Sequence, residues 1–461
     1  MSLKIQSALI LLALSLFALY AVFIQDYDTL TQAQAGYAAL IVILGVLPGV
    51  VSLLDRREAG LVVLMPLHGL FYALSFGVPA FSNKTFWRVS ELAPITDALV
   101  LTVLGLISLY LGYYGSREFG SRVRPINFLG DVPLNRQISL AWVLYGMYLL
   151  LVFVPSLMAL PSVGQMYAPL WYVSIGLLFV LGLDRKLPKG QQILLNAAII
   201  LTVVIKLLSG SLADPVFLLV FLAILYWDKK RSIPWRFVLV GVLIAVLLNP
   251  IKGAYRQATW FAESSQSNFE KAVQLYELAD AYYSSDDIFS TVGEDTTTVN
   301  RLAHISVFSY VISMTPGQVP YWAGESYQTL WTSFIPRVLW ADKPKATIGQ
   351  DFGHRYDLVG EHDEATSMNL PWLVEFYANF GAFGVVAGMF AVGVLFRFLV
   401  QKFSASVGRR IEYVLGISLT FSLFYAESNF ALMAGGVLLT YIAFFVLLRL
   451  LAGTVSKGVA P

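Results

Sequence analysis

Basic side chains that could hold a phosphorylated substrate are spread through one polar stretch, residues 251–370. Seven of its eight Lys and Arg residues are Lys252, Arg256, Arg301, Arg337, Lys343, Lys345 and Arg355. A diphosphate near a membrane favours such residues, because two unit charges ~4 Å apart attract by about 4 kcal/mol at an effective dielectric constant of ~20. The planar guanidinium of Arg also matches phosphate oxygens. Lys252 and Arg256, four residues apart, share a helical face if the preceding helix continues. For each cation, a structural ion pair is the alternative.

Carboxylate and imidazole groups in the same stretch could exchange protons with a substrate. Asp351 and His354 are three residues apart and bracket Phe352 and Gly353. This spacing puts both side chains on one side of a turn or short helix. For each of them, a helix cap or a surface group is the alternative role.

Two acidic clusters resemble metal-binding sequences. One is Asp26 with Asp28, and the other is the run from Glu361 to Glu364 that includes His362 and Asp363. Adjacent side chains on a loop rarely converge on one ion, so we expect no metal and no other cofactor. Cysteine is absent, which excludes disulfides and thiolate ligands.

The elements that position these residues are membrane helices. The chain has 461 residues, of which 57% are hydrophobic and only 13% charged, with a mean hydropathy of +0.69. Its apolar runs are close to the ~20 residues that cross a ~30 Å hydrocarbon core, and they lack the alternation of a barrel strand. The predicted spans are 5–24, 36–54, 60–80, 96–115, 138–158, 168–183, 191–208, 213–227, 236–251, 378–400, 411–427 and 431–451.

The charges predict the orientation of these spans. Alternate connectors, together with the termini and the helix ends on the same side, carry 20 of the 31 Lys and Arg residues, whereas the five short connectors on the other side carry only Lys84 and Arg88. The positive-inside rule then places both termini in the cytoplasm and residues 252–370 on the outer face, which is the periplasm in a bacterium. No nucleotide-binding fingerprint occurs, and no nucleic acid partner is expected.

The predicted fold is all-α and polytopic, with about twelve transmembrane helices and one large outer loop. We divide it into an N-terminal bundle of about nine helices (1–251), a periplasmic catalytic loop (252–377) and about three C-terminal helices (378–461). Helical spacing of apolar residues predicts amphipathic helices from Asn268 to Tyr283 and around residues 302–312. Tryptophans at both ends of the stretch 331–340 are typical of a segment at the headgroup level.

Four short runs in the second half of the chain carry a family resemblance. They are IPRVLWADKP (335–344), GQDFGHRY (349–356), TSMN (366–369) and EFYANFGAFG (375–384). These runs, which lie within a region of about 50 residues, resemble the signature region of Wzy-type oligosaccharide repeat-unit polymerases, which make O-antigen and exopolysaccharide. The arrangement of spans and the large late loop agree with that family, a multispan class of glycosyltransferase with a GT-C-like fold.

The resemblance implies a reaction. A glycan on undecaprenyl diphosphate is transferred as a block to the terminal sugar hydroxyl of a second lipid-linked repeat unit, at the periplasmic face of the inner membrane. The donor is already activated, so no nucleotide is needed. Other partners implied are the lipid bilayer, a chain-length regulator and a flippase.

Such an enzyme needs cations where charge grows on the leaving group and a base near the attacking hydroxyl. Arg337 and Arg355, which lie within the signature runs, are the favoured ligands of the diphosphate, helped by Lys252, Arg256 and Arg301. The leading candidates for the base are Asp342, Asp351, His354 and Glu375, followed by His362, Asp363 and Glu364.

Several polar residues lie near predicted helix ends. Glu375, near the entry of a span, and Glu427 with Asn429, at an outer helix end, could face a cavity, because ionisable groups at membrane depth are costly. For Lys206 and Asp214 we expect an ion pair, and for His68 a buried hydrogen-bonding role. Three glycines, Gly381, Gly384 and Gly388, favour close helix packing.

Two other functional classes remain open. An O-antigen ligase uses the same kind of donor and a similar outer loop, but it transfers to a lipid A core sugar. A lipid-linked oligosaccharide flippase or transporter is the second alternative. Transporters of this size commonly consist of two similar halves, and this sequence has no internal repeat. A purely structural scaffold would not require clustered Arg, Asp and His residues.

Overall fold

The computed structural model of the chain describes residues 3–24, 30–55, 64–81, 95–118, 132–159, 163–209, 213–230, 232, 234–248, 250–260, 268–284, 303–333, 335, 339–340, 342, 347–364, 366–403, 410–424 and 426–457. All regular elements within these ranges are helices. The prediction of an all-α fold is therefore confirmed for the described part of the chain.

Seventeen α-helices occur in the described ranges. In chain order they are α1 (Leu3–Leu19), α2 (Gln32–Leu54), α3 (Leu64–Tyr72), α4 (Ile95–Gly115), α5 (Leu134–Phe153), α6 (Tyr167–Leu183), α7 (Lys189–Leu208), α8 (Ala213–Lys230), α9 (Trp235–Leu248), α10 (Lys252–Trp260), α11 (Asn268–Tyr283), α12 (His304–Met314), α13 (Gln328–Ser333), α14 (Ile348–Arg355), α15 (Trp372–Lys402), α16 (Arg410–Phe424) and α17 (Phe430–Lys457). Each of the twelve predicted spans overlaps one of these helices.

Eight helical segments of the described residues are long and apolar enough to cross a membrane. A ninth results if α9 and α10, which meet at an angle of 69°, form one span. The remaining predicted spans are shorter or more polar: α6 has 17 residues, α16 has 15, and α8 carries charged residues at both ends. The predicted count of twelve spans is thus not reached by length and composition.

The chain forms two compact units. Unit 1 contains Met1–Val132, Leu149–Pro169 and Thr298–Pro461, and unit 2 contains Pro133–Tyr148 and Leu170–Thr297. These units do not follow the division predicted at residues 251 and 377. That division rests on membrane topology rather than on contacts, so it stays a prediction.

Within unit 1, helix α15 folds back on itself. Phe380 and Gly381 have non-helical backbone angles, and Gly381 has a φ of +63°. In a continuous helix, Gly384 and Gly388 would lie about 12 and 18 Å along the axis from Phe376. Instead, a Cβ on Gly388 would lie 2.6 Å from the Phe376 ring, and one on Gly384 would meet the Phe376 carbonyl oxygen. Residues 372–379 therefore form a short arm packed against residues 382–402.

Residues 382–402, which we call the long arm of α15, pack closely against α4. A Cβ on Gly112 would meet the backbone of Phe390, and a Cβ on Gly393 would meet the carbonyl oxygen of Leu109. Glycine at such positions allows two helix backbones to touch. The prediction of close packing is confirmed for Gly384 and Gly388, whereas Gly381 supplies the positive φ of the fold-back.

The predicted helix of residues 268–283 is confirmed as α11, in unit 2. Its Phe269, Val273 and Tyr276 are exposed. The second predicted stretch contains α12, in unit 1, whose Ile305 and Phe308 are fully buried. Of the stretch 331–340, residues 334 and 336–338 lie outside the described residues.

Two polar predictions within the helices are confirmed. Nζ of Lys206 lies 3.4 Å from Oδ2 of Asp214, which is the expected ion pair in unit 2. In unit 1, His68 is fully buried and its Nδ1 lies 3.1 Å from the carbonyl oxygen of Leu423.

Candidate functional site

The short arm of α15 carries a buried carboxylate. Glu375 lies in the first turn of the helix, where its N–H donates to the carbonyl oxygen of Pro371 at 2.8 Å, and its relative exposure is 0%. Its Oε1 accepts a hydrogen bond from Oγ of Ser326 at 2.6 Å, and its Oε2 accepts one from the backbone N–H of Phe430 at 2.7 Å. Two donors from distant parts of the sequence thus meet on one carboxyl group.

Among the residues that the structure describes, no cationic side chain pairs with Glu375. Burying an ionised carboxylate costs several kcal/mol, and proteins usually offset this cost with a paired cation. Glu375 has two hydrogen bonds instead. A buried acid of this kind is able to exchange a proton, which an acid locked in an ion pair does not do readily.

An asparagine side chain continues the network. Nδ2 of Asn379 donates to Oγ of Ser326 at 2.9 Å and to the carbonyl oxygen of Glu375 at 2.8 Å. Its Oδ1 accepts the N–H of Gly324 at 2.9 Å. The asparagine therefore fixes Ser326, which in turn donates to the acid.

Residues 321–327, which we call the strap, cover the end of the short arm. The N–H groups of Trp322 and Ala323 donate to the carbonyl oxygens of Ala378 and Asn379, at 3.0 and 3.2 Å. A helix that breaks leaves such carbonyls without partners, and the strap satisfies two of them.

Glycine is required both in the strap and in the segment of α15 that faces it. Gly324 has a φ of +95°, and Gly381 faces the strap closely enough that a Cβ would lie 2.8 Å from the Tyr321 hydroxyl oxygen. The strap also carries Tyr327. Burial, and then the nearby carboxylate of Glu375, raise the pKa of Tyr327, so this residue stays a neutral phenol.

A second buried acidic group lies in the same unit. Nε2 of His304, at the start of α12, lies 3.2 Å from Oε1 of Glu427. The residues are only 4% and 7% exposed. Glu427 lies in residues 426–429, between α16 and α17, which we call the connector. Phe430, the first residue of α17, directly follows the connector.

Of the predicted diphosphate ligands, the structure brings Arg355 to the strap. Its Nη2 lies 2.6 Å from Oε2 of Glu325, and its guanidinium carbon lies 4.8 Å from the centre of the Trp322 ring. Both charged side chains are partly exposed, at 37% and 48%. The arginine is thus stacked on the strap, where an anion from solution could compete with Glu325.

The other predicted ligands fall into two pairs. Arg301 and Arg337 lie outside the described residues. Lys252 and Arg256 both lie on α10, four residues apart as predicted, but α10 belongs to unit 2.

The other acid and base candidates are exposed or only partly buried. Asp351 and His354 share the short helix α14, as the spacing predicted, but they do not pair. Asp351 accepts a bond from Thr347 Oγ1 at 3.0 Å, and Nε2 of His354 lies 3.1 Å from the carbonyl oxygen of Asp363. Asp342, His362 and Glu364 are exposed.

The remaining carboxylate of this group, Asp363, holds a local turn, because it accepts the backbone N–H of Thr366 at 2.8 Å and its hydroxyl at 2.6 Å. No group of three potential metal ligands occurs in the described ranges. Asp26 and Asp28 lie outside them. Of the predicted bases, Glu375 alone is buried within a polar network.

Sequence reasoning missed Ser326, Trp322, Glu325 and His304. One available signal was the polar tripeptide Gly324-Glu325-Ser326 between aromatic residues, a composition that indicates a turn next to buried structure. Another was the scarcity of histidine, since the chain has only four and His304 begins a strongly apolar helix.

Comparison with known proteins adds one match. A family model described as a domain of unknown function, DUF8712, matches residues 131–455. No curated protein and no solved structure matches the chain. The matched region contains the strap, the short arm of α15 and the connector 426–429.

Proposed function

The chain belongs to the DUF8712 family, whose description assigns no activity, so we propose a function from the site and the resemblance of its signature runs. The protein is a glycosyltransferase that polymerises undecaprenyl-diphosphate-linked oligosaccharide repeat units by block transfer. It acts at the periplasmic face of the bacterial inner membrane, with twelve spans, both termini in the cytoplasm and residues 252–370 outside.

One observation carries this proposal: a fully buried carboxylate without a cationic partner among the described residues, inside one of the signature runs. Glu375 begins the run 375–384, and Asn379 and Gly381 of the same run hold the strap over it. A merely structural glutamate in a membrane protein is expected to have an ion-pair partner. The same residues therefore support both a chemical role and the resemblance.

In the proposed reaction, Glu375 is the general base. It accepts the proton of the acceptor sugar hydroxyl, whose oxygen forms a bond to the anomeric carbon of the donor. The bond from that carbon to the diphosphate breaks, and undecaprenyl diphosphate leaves with the electron pair. The proton on Glu375 then passes to solvent or to the departing diphosphate. General base catalysis of this kind contributes about 10²–10⁴-fold to the rate.

The acceptor must displace the strap to reach Glu375, since Ser326 covers the carboxylate and is itself buried. The contact of Arg355 with Glu325 supplies a trigger for this movement. A diphosphate that binds Arg355 replaces Glu325 as its partner and frees the strap from one of its restraints. Glu375 is thus exposed to the acceptor only when the donor, which carries the diphosphate leaving group, is bound.

Two alternatives use parts of the same geometry. A ligase would differ only in its acceptor, a lipid A core sugar. A transporter is favoured by one observation, the broken helix α15, because discontinuous helices are common at the binding sites of secondary transporters. In that case Glu375 would carry a proton across the membrane instead of accepting one from a sugar.

Transfer by the purified protein in detergent tests these three functions. The protein is supplied with an undecaprenyl-diphosphate-linked repeat unit, and the products are separated by length. A polymerase gives a ladder of longer glycans and releases undecaprenyl diphosphate. A ligase forms product only after lipid A core is added, and a transporter forms no glycosidic bond in either mixture. Absence of any transfer would overturn the proposal.

Opposite changes in apparent affinity are expected when each partner of the Arg355 ion pair is removed. Arg355→Ala should raise the KM for the lipid-linked donor about tenfold, because charge-assisted hydrogen bonds to phosphate are lost. Glu325→Gln should lower the KM about threefold, because exposed ion pairs are worth only ~0.2–1 kcal/mol and the competitor of the diphosphate is gone. Steady-state kinetics at several donor concentrations measure both.

The matched control for this pair is Arg236→Ala. Arg236 is an exposed arginine at the start of α9, which the charge pattern places on the cytoplasmic side. Its removal should leave the KM unchanged. If Arg355→Ala and Glu325→Gln move the KM in the same direction, the two residues do not compete for the diphosphate in the way proposed.

The absence of native cysteine allows a clean test of topology. A single cysteine at Glu361, which is exposed, should react in intact cells with a maleimide that crosses the outer but not the inner membrane. A cysteine at Lys229 should react only after the inner membrane is permeabilised. Labelling of the two positions in the reverse order would contradict the proposed orientation.

A further inference from the structure

The second buried acid, Glu427, and its partner His304 have no part in the proposed reaction. We propose that this pair is a positioning device for Glu375: it holds the connector 426–429 so that the backbone N–H of Phe430 stays on the catalytic carboxylate. The inference rests on the proposed role of Glu375 as base. Its geometry, however, is independent of the substrate.

The connector contacts the first turn of α15 at two points. The carbonyl oxygen of Ala426 accepts the N–H of Trp372 at 3.3 Å, and the N–H of Phe430 donates to Glu375 at 2.7 Å. Between these points, Oδ1 of Asn429 accepts the N–H of Leu432 at 3.0 Å and so caps the start of α17. A displacement of the connector would therefore remove one of the two donors to the carboxylate.

The pair ties this connector to an element that is fixed by other contacts. The ring of His304 packs against Phe71 and Phe76, with centroid distances of 6.0 and 6.1 Å. Its Nε2 lies 3.2 Å from Oε1 of Glu427, so the two buried side chains are in direct contact.

The consequence for Glu375 has a definite sign. A hydrogen bond donated to a carboxylate favours its ionised form, and a general base must be ionised to accept a proton. Loss of the Phe430 N–H would favour the neutral acid. Activity should then be lost at a higher pH when the solution is acidified.

Other titratable groups surround this end of α15. They are Tyr327 and Glu325 of the strap, Arg355 beside Glu325, and His68, whose ring centroid lies 5.5 Å from that of Trp372. None of them contacts the connector through a described hydrogen bond or ion pair. They stay unchanged when His304 or Glu427 is replaced, so a difference between the pH profiles reports on the pair.

The test compares wild-type protein with Glu427→Gln, His304→Gln and the double variant. Each single variant should lower kcat about tenfold at neutral pH, leave the KM for the donor unchanged, and shift the acid limb of the kcat profile upward by about one pH unit. The double variant should be no worse than the poorer single variant, because the two residues act as one unit. Glu427→Asp, which keeps the charge, should restore part of the shift.

Glu277→Gln is the matched control for Glu427→Gln, because it removes an exposed glutamate of α11 and should leave the profile unchanged. Superimposable acid limbs in the pair variants, or a change in KM alone, would overturn the positioning role. If every pair variant loses its native elution profile in detergent, the pair serves folding, and the proposal is again overturned. If Glu375→Gln remains active, the base assignment fails; if Glu375→Gln is inactive and the limbs coincide, only the positioning role fails.

Discussion

Glu375→Gln is expected to lower the rate of glycan transfer by about 100-fold or more, since loss of a general base typically costs 10²–10⁴-fold. The substitution preserves the shape of the side chain. An amide oxygen can still accept the Phe430 N–H, and the amide nitrogen can donate to Ser326, whose hydroxyl has a second lone pair for Asn379. The network should therefore remain, and the loss should appear in kcat.

Release of undecaprenyl diphosphate over time measures this effect. Glu361→Gln, a change of the same chemistry at an exposed position, serves as the control and should behave as wild type. Both variants should elute from size exclusion as the native protein does. Wild-type kcat in Glu375→Gln would remove the base from the proposed mechanism.

The second large effect is structural: Gly112→Val should destabilise unit 1 strongly. The Cβ of any residue at this position would meet the carbonyl oxygen of Phe390, and a branched side chain needs still more room. Forcing additional carbon into a packed contact costs about 1–3 kcal/mol, and here the obstacle is backbone that cannot rotate away. The thermal midpoint of the monodisperse detergent peak should fall clearly.

Gly115→Val is the matched control, because Gly115 lies on the same helix three residues away and a Cβ there has no neighbour within 4 Å. Both changes replace glycine by valine in α4, but only the change at Gly112 places the new side chain against backbone atoms of α15. Equal midpoints for the two variants would mean that α4 and α15 do not touch at Gly112.

Helix positions could be predicted well from the sequence because the apolar runs are long and the connectors are charged. The fold-back in α15 could not. The run from residue 378 to 400 is mostly apolar, and a glycine inside such a run is compatible with either a straight or a broken helix. The deciding fact is the position of Phe376 beside Gly384 and Gly388, which only tertiary structure supplies.

One residue of the buried polar network, Glu375, could be predicted from the sequence. Glu375 stood out as an ionisable group at the edge of an apolar span, and burial gives that observation its meaning. Its two donors come from residues 49 and 55 positions away along the chain, and spacing carries no information about contacts of that range. Asp351 and His354 had a suggestive spacing, but α14 turns them toward local partners.

The contacts of Arg355 could not be predicted from the sequence either. Its place in a signature run favoured a ligand role, and the sequence could not indicate that Glu325 and Trp322, about 30 residues earlier, would contact it. The strap has no strong pattern of its own. It is defined by hydrogen bonds to a broken helix that was itself unforeseen.

The contact of Phe376 with two glycines one helical turn apart fixes the length of chain between them. One inserted residue between Gly381 and Gly384 would rotate the long arm by about 100°, so that bulkier neighbours would replace both glycines at the Phe376 ring. The same rotation would turn Gly393 away from α4. Homologous sequences should therefore keep these glycines and the interval from position 376 to position 393 without gaps, while the other positions of this stretch vary in residue type.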